Sequence, residues 1–369
     1  MKIGIITDAL DEDKGAGIKT YTKNILRHMP TDDITLIHYK ECQEKEYAQF
    51  KDIIIPMKKL PFYREFRKMW LMPKILENEQ FELIHEPCQI GPFFFKSSFK
   101  KVVTVHDLSV LLFPETHKAI HYFHHTFGLK RTLKNVDRII AVSNSTKNDL
   151  IRILNIPPHK IEVIYEAASN NYRVIRDNSS LEEFRNRYKL NFRYILYVGT
   201  LEPRKNVSGL VKAFYMLKKR GFSHKLVIVG KKGWKYKQLF ELIRTLKLSK
   251  DIVFTGYVEE SDLPYFYNCA ELFVYPSRYE GFGLTVIEAM RCGCPVITSN
   301  VSSLPEAAGK AAILIDPSDT AQIANAAENV LNNKKLRNEM VKKGIKHSAK
   351  FSWEMSSKQT FRLYKTILS

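Results

Sequence analysis

Short apolar segments alternate with amphipathic stretches along the whole chain. The apolar segments are rich in Ile, Val and Leu and are bounded by polar residues or glycine, which is typical of buried strands. The stretches between them carry apolar residues at helical spacing. Strands that alternate with helices predict βαβ units built around parallel sheets, and therefore an α/β fold.

The predicted strands form two series separated by a polar segment. The first series comprises residues 2–7, 34–39, 53–55, 82–85, 101–106, 138–142 and 161–165, and the second comprises 194–198, 225–229, 252–255, 272–275, 295–298 and 312–315. We therefore expect two Rossmann-like, doubly wound domains, 1–168 and 192–351, joined by a linker at 169–191 that contains one helical patch. A ligand cleft would lie between the carboxyl ends of the two sheets, and the final helix, 352–369, would pack back on the first domain.

Composition narrows the class of protein. Hydrophobic residues make up 44% and charged residues 26% of the 369, which is ordinary for a globular protein and excludes a disordered chain. No apolar segment approaches the roughly 18 residues that a membrane span needs, and the first residues lack the pattern of a signal peptide. The five cysteines form no CxxC pair, so we expect reduced thiols and a cytoplasmic location.

The net charge of +19 needs a source, and it lies mainly in the second half of the chain. Residues 1–170 hold 25 basic and 21 acidic residues, whereas residues 201–250 hold 14 basic and two acidic residues. Nucleic acid, an anionic membrane or a phosphate-bearing ligand would each explain such an excess. No helix-turn-helix, RRM or zinc pattern accompanies it, so a basic nucleic-acid-binding protein is the alternative and nucleic acid is not the partner we expect.

Two predicted strands of the second domain end in glycine turns that carry basic residues. The first turn begins at Gly199 and places Arg204 and Lys205 just before a helix, and the second holds Gly230 followed by Lys231 and Lys232. Cations at the positive end of a helix dipole are unfavourable unless an anion lies there too. A diphosphate would satisfy both turns, and a solvated basic loop is the alternative.

The segment 280–288 is the most informative in the chain. Glu280 precedes the turn Gly281-Phe282-Gly283, which opens a helix at Leu284, and Glu288 follows two helical turns later. Glycines at a helix start expose backbone amides to a phosphate or a sugar hydroxyl, and an acid nearby can accept the hydroxyls of a ribose. Without a ligand, the two acids would be ordinary helix residues, which leaves the glycine pair unexplained.

The first domain offers weaker candidates. Gly15 and Gly17 lie in a strand-to-helix turn where the backbone would approach a ligand, but a simple turn explains them equally well. His106 and Asp107 end a predicted strand at the edge where such folds place functional groups. Four later histidines have helical spacing but lack acidic or cysteine partners, so we expect no metal site: His117, His121, His124 and His125.

These motifs together resemble a known family. Glu280-Gly-Phe-Gly-Leu with Glu288, an E-x7-E pattern, is similar to the signature of the retaining family-4 glycosyltransferases of GT-B fold. The resemblance includes 199–206, 229–234, 254–258 and 302–306 in the second domain, and it continues more weakly through 17–18, 105–107 and 139–143. The sequence Thr-Leu-Glu-Pro-Arg-Lys-Asn looks most like the mannosyltransferase branch that often uses GDP-mannose.

The resemblance implies a role for each matching residue. Arg204 and Lys205 would hold the donor diphosphate and stabilise charge on the leaving group, Glu288 would bind the ribose, and His106 would lie beside the anomeric carbon. Glu280 and the amides of the helix start would grip the donor sugar and pyrophosphate. The implied donor-binding set is Gly199, Arg204, Lys205, Gly230, Tyr257, Val258, Glu280, Gly281, Phe282, Gly283, Leu284 and Glu288; the acceptor or phosphate loop is Gly15, Gly17 and Asp107; and the catalytic set is His106, Glu280, Arg204 and Lys205.

Two departures from the family pattern affect the phosphate contacts. Many relatives carry an Arg where Thr200 stands and another near Thr20, so Arg204 gains importance here. The chain shows no Asp-rich magnesium site, which predicts transfer of a hexose without a metal or other cofactor. A UDP-sugar-dependent transferase that moves glucosyl or N-acetylglucosaminyl units is the alternative within the family, and an epimerase or a phosphorylase is a more distant one.

The acceptor is predicted less directly, as a saccharide or a lipid-linked saccharide. Residues 60–72 predict a basic amphipathic helix in the first domain, with the aromatic residues Phe62, Phe66 and Trp70 and the basic residues Arg64, Arg67 and Lys68. Such a helix would rest on the anionic inner face of the cell membrane, and packing against the core is the alternative. The pattern makes no prediction about the oligomeric state.

Overall fold

The structure is a computed structural model that describes residues 1–11, 17–40, 45–60, 62–114 and 119–369, with the backbone alone at 45, 119–125 and 127. The chain divides into two compact units. The first unit consists of Met1–Glu166 together with Ser352–Ser369, and the second consists of Ala167–Phe351.

The first unit is built on a parallel sheet of seven strands. In chain order these are β1 (Ile3–Ile6), β2 (Ile34–His38), β3 (Lys51–Ile54), β4 (Leu83–Glu86), β5 (Lys100–Val105), β6 (Arg138–Ala141) and β7 (Ile161–Val163). Their order across the sheet is β3-β2-β1-β4-β5-β6-β7. The order reverses at β1, where Ile3 pairs with Ile34 on one side and with Leu83 on the other. Helices on both faces bury the central strands, and all four residues of β1 are buried.

The second unit repeats this plan with six parallel strands. They are β8 (Tyr194–Val198), β9 (Lys225–Val229), β10 (Ile252–Gly256), β11 (Leu272–Tyr275), β12 (Val296–Ser299) and β13 (Ile313–Ile315). Their order is β10-β9-β8-β11-β12-β13, and it reverses at β8. Each of the thirteen predicted strands overlaps a strand of the structure, and their ends differ by at most two residues.

Helices connect the strands. They are α1 (Gly17–Leu26), α2 (Tyr63–Phe66), α3 (Met72–Asn78), α4 (Ser109–Leu112), α5 (Ala119–Asn135), α6 (Asn144–Leu154), α7 (Asn178–Arg187), α8 (Val207–Lys219), α9 (Tyr236–Thr245), α10 (Leu263–Cys269), α11 (Leu284–Arg291), α12 (Leu304–Ala308), α13 (Thr320–Asn332), α14 (Lys334–Ser348) and α15 (Trp353–Leu368). A π-helical turn, Arg67–Leu71, joins α2 to α3. Among the described residues, no helix is both long and apolar enough to cross a membrane.

The segment 169–191, which composition predicted as a linker, lies within the second unit. It carries α7, whose first turn is capped by the Asp177 side chain. Phe184 on this helix is 2% exposed, and its ring lies 4.8 Å from that of Phe266 on α10. The polar composition therefore reflects the outer face of a packed helix rather than a free connection.

Helix α15 belongs to the first unit, where its polar residues bond to the sheet edge. The Tyr364 hydroxyl lies 2.5 Å from Nδ1 of His85, and the Ser356 hydroxyl donates to the Tyr165 carbonyl at 2.6 Å. Trp353 packs edge-on against Tyr21 of α1, with ring centroids 5.8 Å apart. These contacts tie the end of the chain to the unit with which the chain begins.

Candidate functional site

The first glycine turn lies at the carboxyl end of β8, the central strand of the second sheet. From Gly199 the chain runs into a short 3-10 helix, Pro203–Lys205, before α8 begins. Asn206 closes this turn in a left-handed conformation with φ 54°, and its side-chain amide donates to the Pro317 carbonyl at 2.6 Å. The loop therefore holds two consecutive cations at the edge where the strands end.

Those two cations converge on one carboxylate. Lys205 Nζ lies 2.7 Å from both side-chain oxygens of Glu280 and 2.7 Å from the Tyr275 hydroxyl. Arg204 donates from Nη1 to Glu280 at 3.3 Å and from Nη2 to Glu202 at 2.7 Å. We call Glu202, Arg204, Lys205, Tyr275 and Glu280 the Glu280 ion cluster.

Glu280 is held in its ionised form. Its burial, at 8% exposure, raises the pKa, but the charges of Lys205 and Arg204 outweigh that effect and lower the pKa of Glu280 to about 2. Its backbone is fixed as well, because its N–H donates to the Ser302 hydroxyl at 3.0 Å and its carbonyl accepts from Ser303 at 2.9 Å. Without a ligand, the anion beside Arg204 and Lys205 is therefore the side chain of Glu280.

The two glycine turns are in direct contact at one sheet edge, as predicted. The Gly199 N–H donates to the Val229 carbonyl at 2.8 Å, and the Gly230 N–H donates to the Gly256 carbonyl at 2.8 Å. A Cβ on Gly230, whose φ is 145°, would lie 2.1 Å from the Gly199 carbonyl oxygen. Only glycine fits there, so the local backbone packing requires Gly230 whether or not a ligand binds.

The residues after β10 differ sharply in exposure. The side chain of Tyr257 is 70% exposed, whereas that of Val258 is 8% exposed. Both follow Gly256 at the same sheet edge as the two glycine turns. A ligand at this edge would therefore meet the Tyr257 ring, while Val258 belongs to the packed interior.

The Gly-Phe-Gly turn opens α11 as predicted. Gly283 has a φ of 102° and occupies the N-cap position, and Leu284 is the first residue of the helix. Gly281, Phe282 and Gly283 are all buried, and the Phe282 side chain is 3% exposed. Any contact of this turn with a ligand would therefore come from main-chain amides.

Glu288 lies in a different environment from Glu280. The Tyr267 hydroxyl donates to its Oε2 at 3.0 Å, and the charge of Glu260 adds to the effect of burial in raising its pKa. Burial raises the pKa of Glu288 to about 7, although hydrogen bonds from Tyr267 and Tyr172 oppose the rise. Near neutral pH one acid of the E-x7-E pattern is fully ionised and the other carries a proton part of the time.

In the first unit, His106 directly follows β5 and makes two hydrogen bonds. Its Nδ1 lies 2.8 Å from Oε1 of Glu166, and its Nε2 lies 2.9 Å from the Pro87 carbonyl. The Tyr21 ring packs edge-on against the imidazole, with centroids 4.9 Å apart. The side chain predicted to act at this edge is therefore tightly positioned.

The other first-domain candidates are less involved. The Asp107 carboxylate accepts from the N–H and the hydroxyl of Ser109 at 2.8 and 2.7 Å, which stabilises the start of α4. Gly17 begins α1, and a Cβ there would meet no atom of the described residues within 4 Å. Protein packing thus does not explain Gly17, and its predicted role toward a ligand stays a prediction. Gly15 lies outside the described residues.

Sequence reasoning missed three residues of the site. Tyr275 ends β11 and reaches Lys205, Glu166 follows β7 and reaches His106, and Tyr267 reaches Glu288 across from α10. Tyr275 and Glu166 lie just at or beyond the carboxyl ends of strands, a position that could have identified them. Tyr267 had no such signal, because its contact depends on how α10 packs against α11.

No cluster of three or more potential metal ligands occurs in the part of the chain that the structure describes. Of the four histidines weighed above, His117 lies outside the described residues, and the side chains of His121, His124 and His125 are not described either.

The predicted helix 60–72 is corrected in one respect. Arg67 is completely buried, with its guanidinium donating to both oxygens of Asp8 at 2.6 and 3.0 Å, and Lys68 pairs with Glu86 at 3.4 Å. These two cations therefore face the protein and not a membrane. The π-helical turn changes the helical register, so that spacing alone could not assign the faces.

The apolar side of this region faces solvent. Four aromatic side chains are between 41% and 75% exposed, and the ring centroids of Trp70 and Phe95 lie 5.3 Å apart. Exposed lysines flank them at Lys58, Lys59, Lys74 and Lys96. We call Phe62, Phe66, Trp70 and Phe95 the aromatic surface.

Comparison with known proteins assigns the family. The family model described as "Glycosyl transferases group 1" matches residues 180–347, and the one described as "Glycosyltransferase Family 4" matches residues 15–168. O-antigen chain mannosyltransferase B of Escherichia coli is 36% identical over 73% of this chain and 71% of its own length. The serotype-specific mannosyltransferase WbdA of Escherichia coli is 31% identical over 69% of this chain, which spans only 32% of WbdA.

The fold is also that of the solved glycosyltransferase WaaG, which superimposes with a TM-score of 0.74 over 97% of this chain and 98% of WaaG at 14% identity. The structure of HepE from Anabaena, determined in complex with UDP and glucose, superimposes with a TM-score of 0.79 over 99% of both chains at 18% identity. Three findings point to the same family. They are the two Rossmann-like parallel sheets, the matching family models and the similarity to a mannosyltransferase of comparable length. The chain therefore belongs to the group 1 glycosyltransferases of GT-B fold.

Proposed function

We propose that the chain transfers a mannosyl unit from GDP-mannose to a saccharide or lipid-linked saccharide during polysaccharide synthesis, with retention of anomeric configuration and without a metal ion. The observation that carries the proposal is the Glu280 ion cluster beside two glycine turns. The two Escherichia coli relatives are named as mannosyltransferases, which supports mannose as the sugar.

The Glu280 ion cluster supplies what the leaving group needs. Glycosyl transfer builds negative charge on the departing diphosphate, and preorganised cations stabilise that charge without reorganising during the reaction. Glu202 lies 2.7 Å from Arg204, and Glu280 lies 2.7 Å from Lys205. These ion pairs hold both cations in position before a ligand binds. In the proposal a diphosphate replaces part of this carboxylate coordination, and Glu280 becomes free to accept hydroxyls of the donor sugar.

Glu288 would bind the nucleotide ribose. Two ribose hydroxyls that donate to a carboxylate favour its ionised form, and the Tyr267 hydroxyl already orients one of its oxygens. Retention follows the resemblance of the motifs to retaining enzymes. For His106 the proposal keeps the catalytic role that the resemblance implies.

A UDP-sugar is the second candidate donor. HepE has been solved with UDP and glucose, but at 18% identity this likeness supports the fold and not the base. The exposed ring of Tyr257 at the same edge of the sheet would stack on either a guanine or a uracil base.

A donor screen tests the proposal. Purified protein would be incubated with GDP-mannose, UDP-glucose and UDP-N-acetylglucosamine in the presence of EDTA, with short mannosyl oligosaccharides as acceptors. We expect transfer from GDP-mannose alone, unchanged by EDTA, and NMR of the product should show the anomeric configuration of the donor. Transfer from a UDP-sugar would show that this sugar nucleotide, and not GDP-mannose, is the donor. Loss of activity in EDTA would reject the metal-free mechanism.

We also propose that the aromatic surface binds the anionic face of a membrane and brings the enzyme to a lipid-linked acceptor. Aromatic rings insert at the headgroup level, and lysines around them attract anionic lipid at about 1 kcal/mol each. The exposed rings of Phe62 and Trp70 and the flanking Lys58, Lys59 and Lys74 support this placement.

A further inference from the structure

The two hydrogen bonds of His106 constrain its protonation. The Pro87 carbonyl can only accept, so Nε2, at 2.9 Å, must carry a proton. An ionised Glu166 can also only accept, so Nδ1, at 2.8 Å, must carry one as well. With Glu166 ionised, the geometry is that of an imidazolium whose two N–H groups are both bonded to the protein.

The surroundings of His106 fix this arrangement. The Tyr21 ring lies against the imidazole at an interplanar angle of 88°, and the Tyr21 hydroxyl lies 3.0 Å from that of Thr104. The Thr146 hydroxyl donates to the His106 carbonyl at 3.4 Å. The ring is 19% exposed and the Glu166 side chain 8%, so water competes little for either bond.

The titratable groups that face His106 come from several elements. Glu166 lies after β7, Asp107 follows His106 itself, Tyr21 lies on α1 and His85 on β4. Burial lowers the pKa of His106, but the bond and charge of Glu166 outweigh it and raise the pKa above its usual value. His85 stays neutral, because burial and the charge of His106 lower its pKa to about 3.

We propose that Glu166 is a positioning residue that fixes His106 as a doubly protonated cation, so that His106 serves the transfer reaction by its charge and not as a proton acceptor. This inference rests on the proposed function, since that function counts His106 among the catalytic residues. Neither ring nitrogen has a lone pair left to take a proton from an acceptor hydroxyl. The transfer reaction then requires the protonated imidazolium, which the bond to Glu166 stabilises.

The test replaces Glu166 by Gln, which keeps an oxygen acceptor for Nδ1 but removes the charge. An opposite charge within hydrogen-bond distance shifts a pKa by about 1 to 3 units, so the pKa of His106 should fall by about one unit or more in E166Q. In wild type, kcat/KM should persist above pH 6.5 and fall as pH rises through the raised pKa. In E166Q this fall should occur about one unit lower, which gives about threefold less activity midway between the two pKa values, roughly tenfold less above both, and nearly equal activity at pH 5.5.

Histidine NMR separates this inference from the proposed function, because it needs no substrate. In protein with labelled histidine, the signal that H106A lacks should titrate at lower pH in E166Q than in wild type. E162Q, which changes an exposed carboxylate on β7, should leave both the NMR titration and the pH–rate profile unchanged. If no nucleotide sugar is a substrate, the proposed function fails while the titration still reports the charge state.

Two results would overturn the inference. One is an unchanged His106 titration in E166Q, and the other is a loss of activity by the same factor at every pH, which a purely structural role would produce. If E166Q does not fold, as judged by thermal unfolding, E166D retains the carboxylate at a shorter reach. The inference then requires E166D to place the His106 titration above that of an ordinary histidine.

Discussion

Lys205 Nζ lies 2.7 Å from both carboxylate oxygens of Glu280, 75 residues further along the chain. This ion pair joins the loop after β8 to the loop after β11, the two neighbouring strands at the centre of the second sheet. The pair is nearly buried, and Arg204 completes it from one side. The cations of the site are therefore held in position before any ligand arrives.

Arg204→Ala should lower transfer by about 10²-fold or more, because it removes a cation that stabilises the leaving diphosphate. The measurement is kcat/KM with the donor found in the screen. Lys212→Ala, which removes an exposed charge on α8, is the matched control and should retain wild-type activity. Activity of Arg204→Ala within twofold of the control would remove Arg204 from the mechanism.

Glu280→Gln should lower the unfolding free energy of the ligand-free protein. It should also increase the affinity for inorganic pyrophosphate. The substitution leaves Arg204 and Lys205 without their shared anion, which should cost about 1 to 3 kcal/mol of unfolding free energy. Pyrophosphate would then meet no competing carboxylate. Thermal shift with and without pyrophosphate measures both effects, and an equal shift in variant and wild type would show that Glu280 does not compete with the ligand.

The stability of the fold should depend on Glu280 at acid pH. Because its folded pKa is lowered to about 2 from 4.5, its contribution is present above about pH 4.5 and is lost as pH falls toward 2. Urea unfolding of wild type should therefore lose free energy over this range more steeply than that of Glu280→Gln. Parallel pH curves for the two proteins would contradict the ionised, paired state of Glu280.

Nucleoside diphosphate binding should release a proton from Glu288. Burial raises the pKa of Glu288 to about 7, and ribose hydroxyls that donate to it favour the ionised form. The affinity for GDP should therefore rise from pH 6 to 8 more in wild type than in Glu288→Gln. Calorimetry in two buffers of different ionisation enthalpy measures the released proton directly.

Tyr267→Phe provides a sensitive control for this effect. The substitution removes a hydrogen bond that lowers the pKa of Glu288, so the rise in affinity should move to higher pH. The same pH dependence in Tyr267→Phe and wild type would show that Glu288 does not contact the nucleotide.

Two glycines should respond oppositely to alanine. In Gly230→Ala the new Cβ would lie 2.1 Å from the Gly199 carbonyl oxygen, so the variant should lose about 1 to 3 kcal/mol of stability or fail to fold. In Gly17→Ala the Cβ meets no atom of the described residues within 4 Å, so stability should be unchanged and any loss should be in transfer. Urea unfolding and steady-state kinetics separate the two effects, and full activity of Gly17→Ala would show that no ligand approaches this backbone closely.

The aromatic surface should bind anionic vesicles in a salt-dependent manner. The double substitution Phe62→Ser and Trp70→Ser should weaken sedimentation with phosphatidylglycerol vesicles by about tenfold or more, because it removes two rings that insert at the headgroup level. Met355→Ser, which changes an exposed residue on α15, is the control. Equal binding of the double variant and wild type would remove this surface from the interaction.

Much of the fold could be predicted from local patterns, because most strands are short apolar runs that helices bury on both faces of a parallel sheet. The run at 225–229 predicts β9 to the residue, and the Gly-Phe-Gly turn predicts the start of α11. The prediction of a linker at 169–191 was wrong because α7 buries one aromatic residue and is otherwise polar. The prediction that Arg67 belongs to a basic membrane-facing surface of the helix at 60–72 was wrong, because a π-helical turn places this side chain inside the protein.

The sequence by itself determined the two-sheet plan, the glycine turns and the acids of the E-x7-E pattern, since each depends on residues that are close together along the chain. Only the tertiary structure decided which charges meet. Glu280 is ionised beside Lys205, Glu288 shares its site with Tyr267, and His106 is bound by Glu166, 60 residues away. Protonation states depend on burial and on partners brought together by folding, and linear spacing contains neither.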